Sequence, residues 1–256
     1  MKHVLVLGLS LAISLSGFCQ ENTTIAGGEK LVFNASYSMS GLMTQLAQVT
    51  METADVKTSS ATLLHLKCTA VTFSKWDSFF KIRDLYESYV NPKNLKPVMH
   101  KRDIEEGTYK KQMKYVFNSK TGTVKITSSK PNKPTKETQP KITPSTIDVV
   151  SLLYQVRTTD FSAIPVGGTK SFTLLFDEKE LAVNIKLLGK EVMNSGPLGK
   201  KECYKLSVSA KTDKLKGKDQ NLIWLTTDRS RMPVYMKFNI PVGTGELVLK
   251  SVASPK

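Results

Sequence analysis

Apolar and polar residues alternate along most of this chain. Leu31, Phe33, Ala35 and Tyr37 interleave with Val32, Asn34, Ser36 and Ser38, and Leu64 to Phe73 alternates in the same way. Phe80, Ile82, Asp84 and Tyr86 interleave with Lys81, Arg83, Leu85 and Glu87. A period of two sends successive side chains to opposite faces of a pleated strand. Further β-like runs are Lys110–Asn118, Thr123–Ser128, Thr169–Asp177, Leu181–Leu188, Cys203–Ala210, Asn221–Thr226, Val234–Ile240 and Gly245–Val252. Turn signals such as Asn91-Pro92, Glu106-Gly107, Thr121-Gly122, Gly167-Gly168 and Gly196-Pro197 punctuate them. The spacing predicts an all-β, mainly antiparallel fold, built as two curled sheets, half-barrels or a sandwich.

Two stretches break the alternation. Residues 129–144 are rich in Lys, Pro and Thr with scarcely an apolar side chain, which predicts a flexible loop joining two halves, 28–128 and 145–252. Directly after it, Pro144-Ser145-Thr146-Ile147-Asp148 has the form of a helix start, with Ser145 as cap and Asp148 as the acidic third residue. Ile147, Val150 and Tyr154 line one side, and Val149, Leu152, Leu153 and Val156 cover much of the rest. A helix near 145–157 that is apolar over most of its surface belongs in the interior. A shorter helical turn is expected at Lys75–Phe79.

The N-terminus follows a different rule. Met1-Lys2-His3 is basic, Val4–Leu15 is almost wholly apolar, and Ser16-Gly17-Phe18-Cys19 supplies small residues for a signal peptidase. This layout predicts a signal peptide over residues 1–19, with cleavage leaving Gln20 first and residues 20–256 as one β-rich domain. Phe18 stands where lipoprotein processing wants a small residue before the cysteine, so soluble export is favoured over lipidation. No other stretch approaches the length of a membrane-spanning helix, so an integral membrane protein is not expected.

The formal net charge is +15, and Lys2 is the only charge in the leader. Thirteen Lys and Arg lie between Lys93 and Lys141 against Asp103, Glu105, Glu106 and Glu137. A basic surface at Lys101, Arg102, Lys110, Lys111 and Lys114 would suit anionic lipid or acidic glycan of a cell envelope. The same lysines equally serve to solvate strands and loops. No nucleic-acid motif accompanies them.

The sequence offers little catalytic chemistry. Beyond the leader the histidines are His65 and His100, neither in a metal-binding spacing, and no nucleophile elbow or phosphate loop occurs. Neither metal nor cofactor is expected, and no catalytic residue can be assigned. Asp103, Glu105 and Glu106 read as solvated residues beside a turn at Gly107. Asp84 shares its parity with Phe80, Ile82 and Tyr86, so it should point inward and need a cation, with Arg102, Arg157 and Arg231 as candidates. Cys68 falls on an inward parity and Cys203 on an outward one, which argues against a Cys68–Cys203 disulfide.

Several short pieces then fall into a familiar order. Asp84, Glu87-Ser88-Tyr89-Val90-Asn91, Leu95, Pro97, Arg102, Glu106-Gly107, Tyr109 and Phe117-Asn118 make the first half. Asp148-Val149-Val150-Ser151-Leu152-Leu153-Tyr154, Arg157, Gly167, Cys203-Tyr204, Trp224-Leu225-Thr226-Thr227-Asp228 and Arg231-Met232-Pro233-Val234 make the second. In this order they resemble the domain-of-unknown-function 3108 family of exported bacterial proteins, over roughly Gly28 to Val252. Asn91 stands where an aspartate is common. The resemblance implies a mostly antiparallel β fold, the periplasm or envelope of a Gram-negative bacterium, and no established activity. The reading that follows is a non-enzymatic envelope protein whose curled sheets hold an apolar or amphiphilic ligand. The alternative is a structural or assembly factor that meets acidic glycan, anionic lipid or another envelope protein through its basic surface. The oligomeric state is not legible.

Overall fold

The computed structural model describes residues 22–38, 43–210, 221–240 and 243–254. The leader and its cut before Gln20 lie outside the described residues.

The first half runs β1 (Lys30–Ser38), β2 (Thr44–Lys57), β3 (Thr62–Thr72), β4 (Arg83–Val90), β5 (Pro97–Glu106), β6 (Tyr109–Asn118), β7 (Thr123–Ser129) and β8 (Lys136–Thr138). Then come β9 (Thr146–Ile147), helix α1 (Val149–Thr158), β10 (Thr169–Phe176), β11 (Lys179–Asn194) and β12 (Lys200–Ala210). The last strands are β13 (Leu222–Thr226), β14 (Pro233–Ile240) and β15 (Gly243–Ala253). Among the described residues all fifteen strands join in one sheet, ordered β8-β7-β6-β5-β4-β3-β2-β1-β15-β14-β13-β12-β11-β10-β9. Each pairing is antiparallel except β9 with β10. The two halves are therefore joined at the middle of the sheet, where β1 pairs with β15 from Lys30↔Ala253 to Ser38↔Thr244.

This order forces the sheet to curl. β8 and β9 are the two outer edges, yet only residues 139–145 connect them. A connection of that length spans at most about 25 Å, far less than the width of fifteen flat strands about 4.8 Å apart. Contacts across the seam are both apolar, where Leu175 packs with Met113, Tyr115, Val124 and Ile126, and polar. Lys136 Nζ lies 2.7 Å from Glu178 Oε1, and the Thr143 N–H donates to Glu180 Oε1 at 2.7 Å. Arg102 Nη1 meets Asp177 Oδ1 at 2.8 Å.

The helix fills the interior. Val150 and Tyr154 pack with Leu31, Phe33, Leu64, Leu66, Trp224 and Leu249, while Leu152 and Val156 pack with Leu174, Ile185, Leu206 and Tyr204. Two apolar clusters thus meet on opposite sides of α1, and each fully buried Leu or Phe contributes about 1.5–3 kcal/mol.

The all-β class and the buried helix match the sequence pattern, and the details differ in instructive ways. The helix begins three residues later than its Ser145 signal. Asp148 is the cap and accepts from the Val150 and Ser151 N–H groups at 2.9 Å, because Thr146 and Ile147 are drawn into pairing with β10. Residues 129–144 do not run free. They supply β8 against β7, and the Ile142 N–H donates to the Gly122 carbonyl at 2.9 Å. A very short, charged strand flanked by proline-bearing segments is a common form of sheet edge. Cys203 is fully buried rather than outward, since β12 buries both faces, Cys203 in one cluster and Tyr204 in the other. Among the described residues Cys68 and Cys203 are both free thiols, and both belong to the first cluster.

Candidate functional site

Across β3 to β6 the inward positions align in rungs. One rung is Leu66, Ser88, His100 and Tyr115; the next is Cys68, Tyr86, Arg102 and Met113. Ala70 opposite Asp84, and Ile104 opposite Lys111, continue the series. An inner wall of this kind ought to be apolar, yet Asp84, Ser88, His100 and Arg102 are all buried on it. Buried polar groups cost free energy unless each finds a partner, so the partners define what the wall does.

The innermost group is a lock. The Ser88 hydroxyl donates to Asp148 Oδ1 at 2.6 Å, and the Ser151 hydroxyl donates to Asp148 Oδ2 at 2.7 Å. Together with the two capping N–H groups, Asp148 has four donors at the positive end of α1. His100 Nδ1 lies 2.9 Å from the Glu87 carbonyl and 2.9 Å from Ser88 Oγ. Burial pushes the His100 pKa down, against the pull of Asp148, and a neutral Nδ1–H tautomer donating to the carbonyl satisfies this geometry. Serine, histidine and aspartate are adjacent, but not as a relay: the Ser88 proton goes to the carboxylate, and that carboxylate is engaged by the helix.

A second lock is an ion pair. Arg157 of α1 donates from Nη1 and Nη2 to the two oxygens of Glu29 at 2.6 and 2.7 Å, and Nη2 also reaches the Ser230 carbonyl at 3.2 Å. Nothing in the sequence pattern singles out Glu29; its partner lies 128 residues away.

Arg102 is different. Its guanidinium lies 4.7 Å from the Phe176 ring centroid and 5.5 Å from that of Tyr86. Nη1 donates to Asp177 at the tip of the β10–β11 hairpin, and to Tyr115 Oη at 3.4 Å. Lys111 Nζ approaches the same Asp177 oxygen at 3.5 Å. Partial burial works against ionisation of Asp177, but the Arg102 bond and the Lys111 charge hold its carboxyl below the usual range. Beside this triad a cleft of about 600 Å³ opens between β6, α1 and the β10–β11 hairpin. Met113, Val149, Leu174, Phe176, Leu181 and Val183 give it apolar walls, and Lys111, Lys179, Asp177 and Glu178 are its charged lining.

The structure separates the five basic residues grouped in sequence. Arg102 and Lys111 face inward to Asp177, whereas Lys101, Lys110 and Lys114 face outward. The outer lysines are not a bare stripe. Lys110 sits 3.4 Å from Glu105, Lys81 2.8 Å from the same carboxylate, and Lys101 lies over the Tyr89 ring.

Asp84 is inward, but it has no ion pair. It accepts from the Glu105 N–H at 3.1 Å. Arg102, Arg157 and Arg231 are instead paired with Asp177, Glu29 and Asp160. Desolvation above all, and then neighbouring Glu106, push the Asp84 pKa up to about 6. Among the described residues no cluster of His, Cys, Asp or Glu could hold a metal ion, and no helix is long and apolar enough to cross a membrane.

The class of protein is thus an antiparallel β fold curled round a helix. Residues 32–250 match the family model described as a protein of unknown function, DUF3108, and the chain belongs to that family. A solved β-barrel-like protein of the domain-of-unknown-function 1849 family from Brucella abortus shares the fold. Its TM-score is 0.59 at 10% identity, with 89% of this chain and 98% of that one covered. A candidate exported protein with a YmcC-like fold from Bacteroides fragilis NCTC 9343 aligns with a TM-score of 0.38 at 8% identity, over 90% of this chain and 98% of that one. No curated protein matches the sequence.

Proposed function

We propose that this is an exported, non-enzymatic envelope protein that holds an apolar or amphiphilic ligand in the cleft beside the β10–β11 hairpin. The observation that carries the reading is the cleft itself. About 600 Å³ is within the usual range for small-ligand sites, and its walls are mainly apolar while its charged lining, Lys111 and Lys179 beside Asp177 and Glu178, is of both signs. The Glu105 carboxylate beside Lys110 and Lys81 offsets part of the outer basic charge, which favours this over capture of glycan or lipid by surface charge. Export rests on the Val4–Leu15 segment and the small residues after it.

Two measurements test the proposal. Intact mass of protein recovered from the envelope should correspond to a start at Gln20 without an acyl chain; a lipidated Cys19 would overturn soluble export. N-phenyl-1-naphthylamine should fluoresce on binding the wild type, and Leu181→Trp, which fills the cleft from a half-buried position, should reduce that binding at least tenfold. Equal binding by the filled variant would overturn the assignment of the cleft.

A further inference from the structure

The two buried arginines of the interior are held in unlike ways. Arg157 has a carboxylate on both Nη atoms, from Glu29 just before β1, and that pair is shut inside the fold. Arg102 has one bond to one oxygen of Asp177, whose side chain is 47% exposed. The Nε–H of each arginine lacks a partner, so the difference lies in the carboxylate each one meets. Asp177 also adopts φ 52°, a left-handed backbone unusual for a residue other than glycine. It is a carboxylate brought in from a hairpin tip, across the seam of the sheet, to a guanidinium more than nine-tenths buried.

A buried arginine sandwiched by Tyr86 and Phe176, with Lys111 beside it, is a preformed anion site. It lies behind Phe176 and Asp177, which together with Lys111 line a cleft whose walls are mainly apolar. We propose that Arg102 and Lys111 bind the carboxylate head of a single-chain amphiphile whose tail lies along Leu174, Phe176, Leu181 and Val183, and that Asp177 is a built-in stand-in for that head which the ligand displaces. The inference rests on the cleft reading above and adds the head-group chemistry and a competing latch. The β10–β11 hairpin supplies both the latch and part of the tail wall, so head and tail would engage the same element.

A competitor within the chain reduces apparent affinity by the fraction of molecules in which it is seated. Removing its charge should therefore tighten binding, which a purely structural ion pair would not do. Asp177→Asn is the informative variant, because asparagine tolerates the left-handed backbone and leaves a half-exposed position polar. Laurate and 1-dodecanol are titrated against the mature protein by displacement of N-phenyl-1-naphthylamine, with dodecyl phosphate as the second anion. In the wild type laurate should bind at least tenfold tighter than dodecanol. In Asp177→Asn laurate should gain roughly fivefold or more, a typical worth for one exposed ion pair, while dodecanol stays unchanged. Lys111→Gln, in the charged lining, should lower laurate affinity and spare dodecanol. Unchanged or weakened laurate binding in Asp177→Asn would overturn the latch. Dodecanol binding the wild type as tightly as laurate would overturn the head-group site and leave the cleft standing; dodecyl phosphate binding more tightly than laurate would overturn the choice of carboxylate. If neither form of the protein binds any of the three, the cleft reading falls and takes this one with it.

Discussion

At the scale of single residues, the inner wall is governed by whether a buried charge has a counter-charge. Asp84 lacks one, and its carboxyl is raised from 3.8 to about 6. A carboxyl that holds its proton more firmly in the folded state is penalised once both states ionise. The penalty is absent below about pH 4, grows between 4 and 6, and is complete above 6. The displacement corresponds to about 2–3 kcal/mol. Asp84→Asn keeps an acceptor for the Glu105 N–H, so it should be more stable than wild type by about 1–3 kcal/mol at pH 8. Urea unfolding at pH 8, 6 and 4.5 should show that gap closing as the pH falls; a wild type more stable than the variant at pH 8 would sink the argument. Glu29 and Arg157 behave oppositely. Breaking this pair leaves a buried charge alone, and Glu29→Gln should cost about 3–5 kcal/mol. The double change Glu29→Leu with Arg157→Met should recover most of the loss, because the cost belongs to the orphaned charge. A double variant as unstable as the single one would instead assign the cost to packing.

At the scale of elements, the strands most legible in the sequence are those with one apolar face. β1, β3, β6 and β10 to β15 show the alternation because most of their inward residues are aliphatic, aromatic or sulfur-bearing. β5 escapes it because its inward residues include His100 and Arg102, so the strand that carries the candidate site is also one that hydrophobic periodicity cannot find. β2 escapes for a milder reason, as Ala47, Met51 and Thr53 are its buried residues among Gln, Thr and Glu. The alternation of β10 suggests Asp177 as the last residue of a strand, whereas the strand ends at Phe176, and nothing local says that the following turn reaches across the seam to Arg102. The helix was legible from its apolar surface, and its start was misplaced because a serine and an aspartate compete as caps three residues apart. Asp148 prevails with four donors. Asp148→Ala should therefore cost about 2–4 kcal/mol, the sum of a lost cap and unmet buried hydroxyls. Asp148→Asn, which keeps one acceptor for the cap and Ser88, should cost less than half of that. Chemical denaturation of the two variants side by side provides the check, and equal losses would show that the charge rather than the acceptor holds the helix.

At the scale of the molecule, a long chain-wise meander has become one cooperative object through two devices. The first is the β1–β15 pairing, which fastens the ends of the described chain together at the centre of the sheet. The second is α1, whose residues enter both apolar clusters and whose Arg157 reaches back to Glu29. The first cluster alone draws Leu31, Phe33, Met51, Leu64 and Leu66 from the first half and Trp224, Met232, Val234 and Leu249 from the second. Neither half, 28–128 or 145–252, can bury its share without the other, so the division suggested by the Lys- and Pro-rich stretch should not mark a boundary of stability. Two tryptophans report on the two halves. Trp224 is buried in the shared cluster, and Trp76 lies at the end of β3, donating to the Gln45 carbonyl at 2.9 Å. In the single-tryptophan variants Trp76→Phe and Trp224→Phe, urea unfolding followed by fluorescence should give the same slope. Each midpoint should agree with that found by circular dichroism on the same variant. A Trp76 signal lost well before the circular dichroism changes would mean that the first half opens as a separate unit, with the seam at Arg102 and Asp177 as the place where it parts.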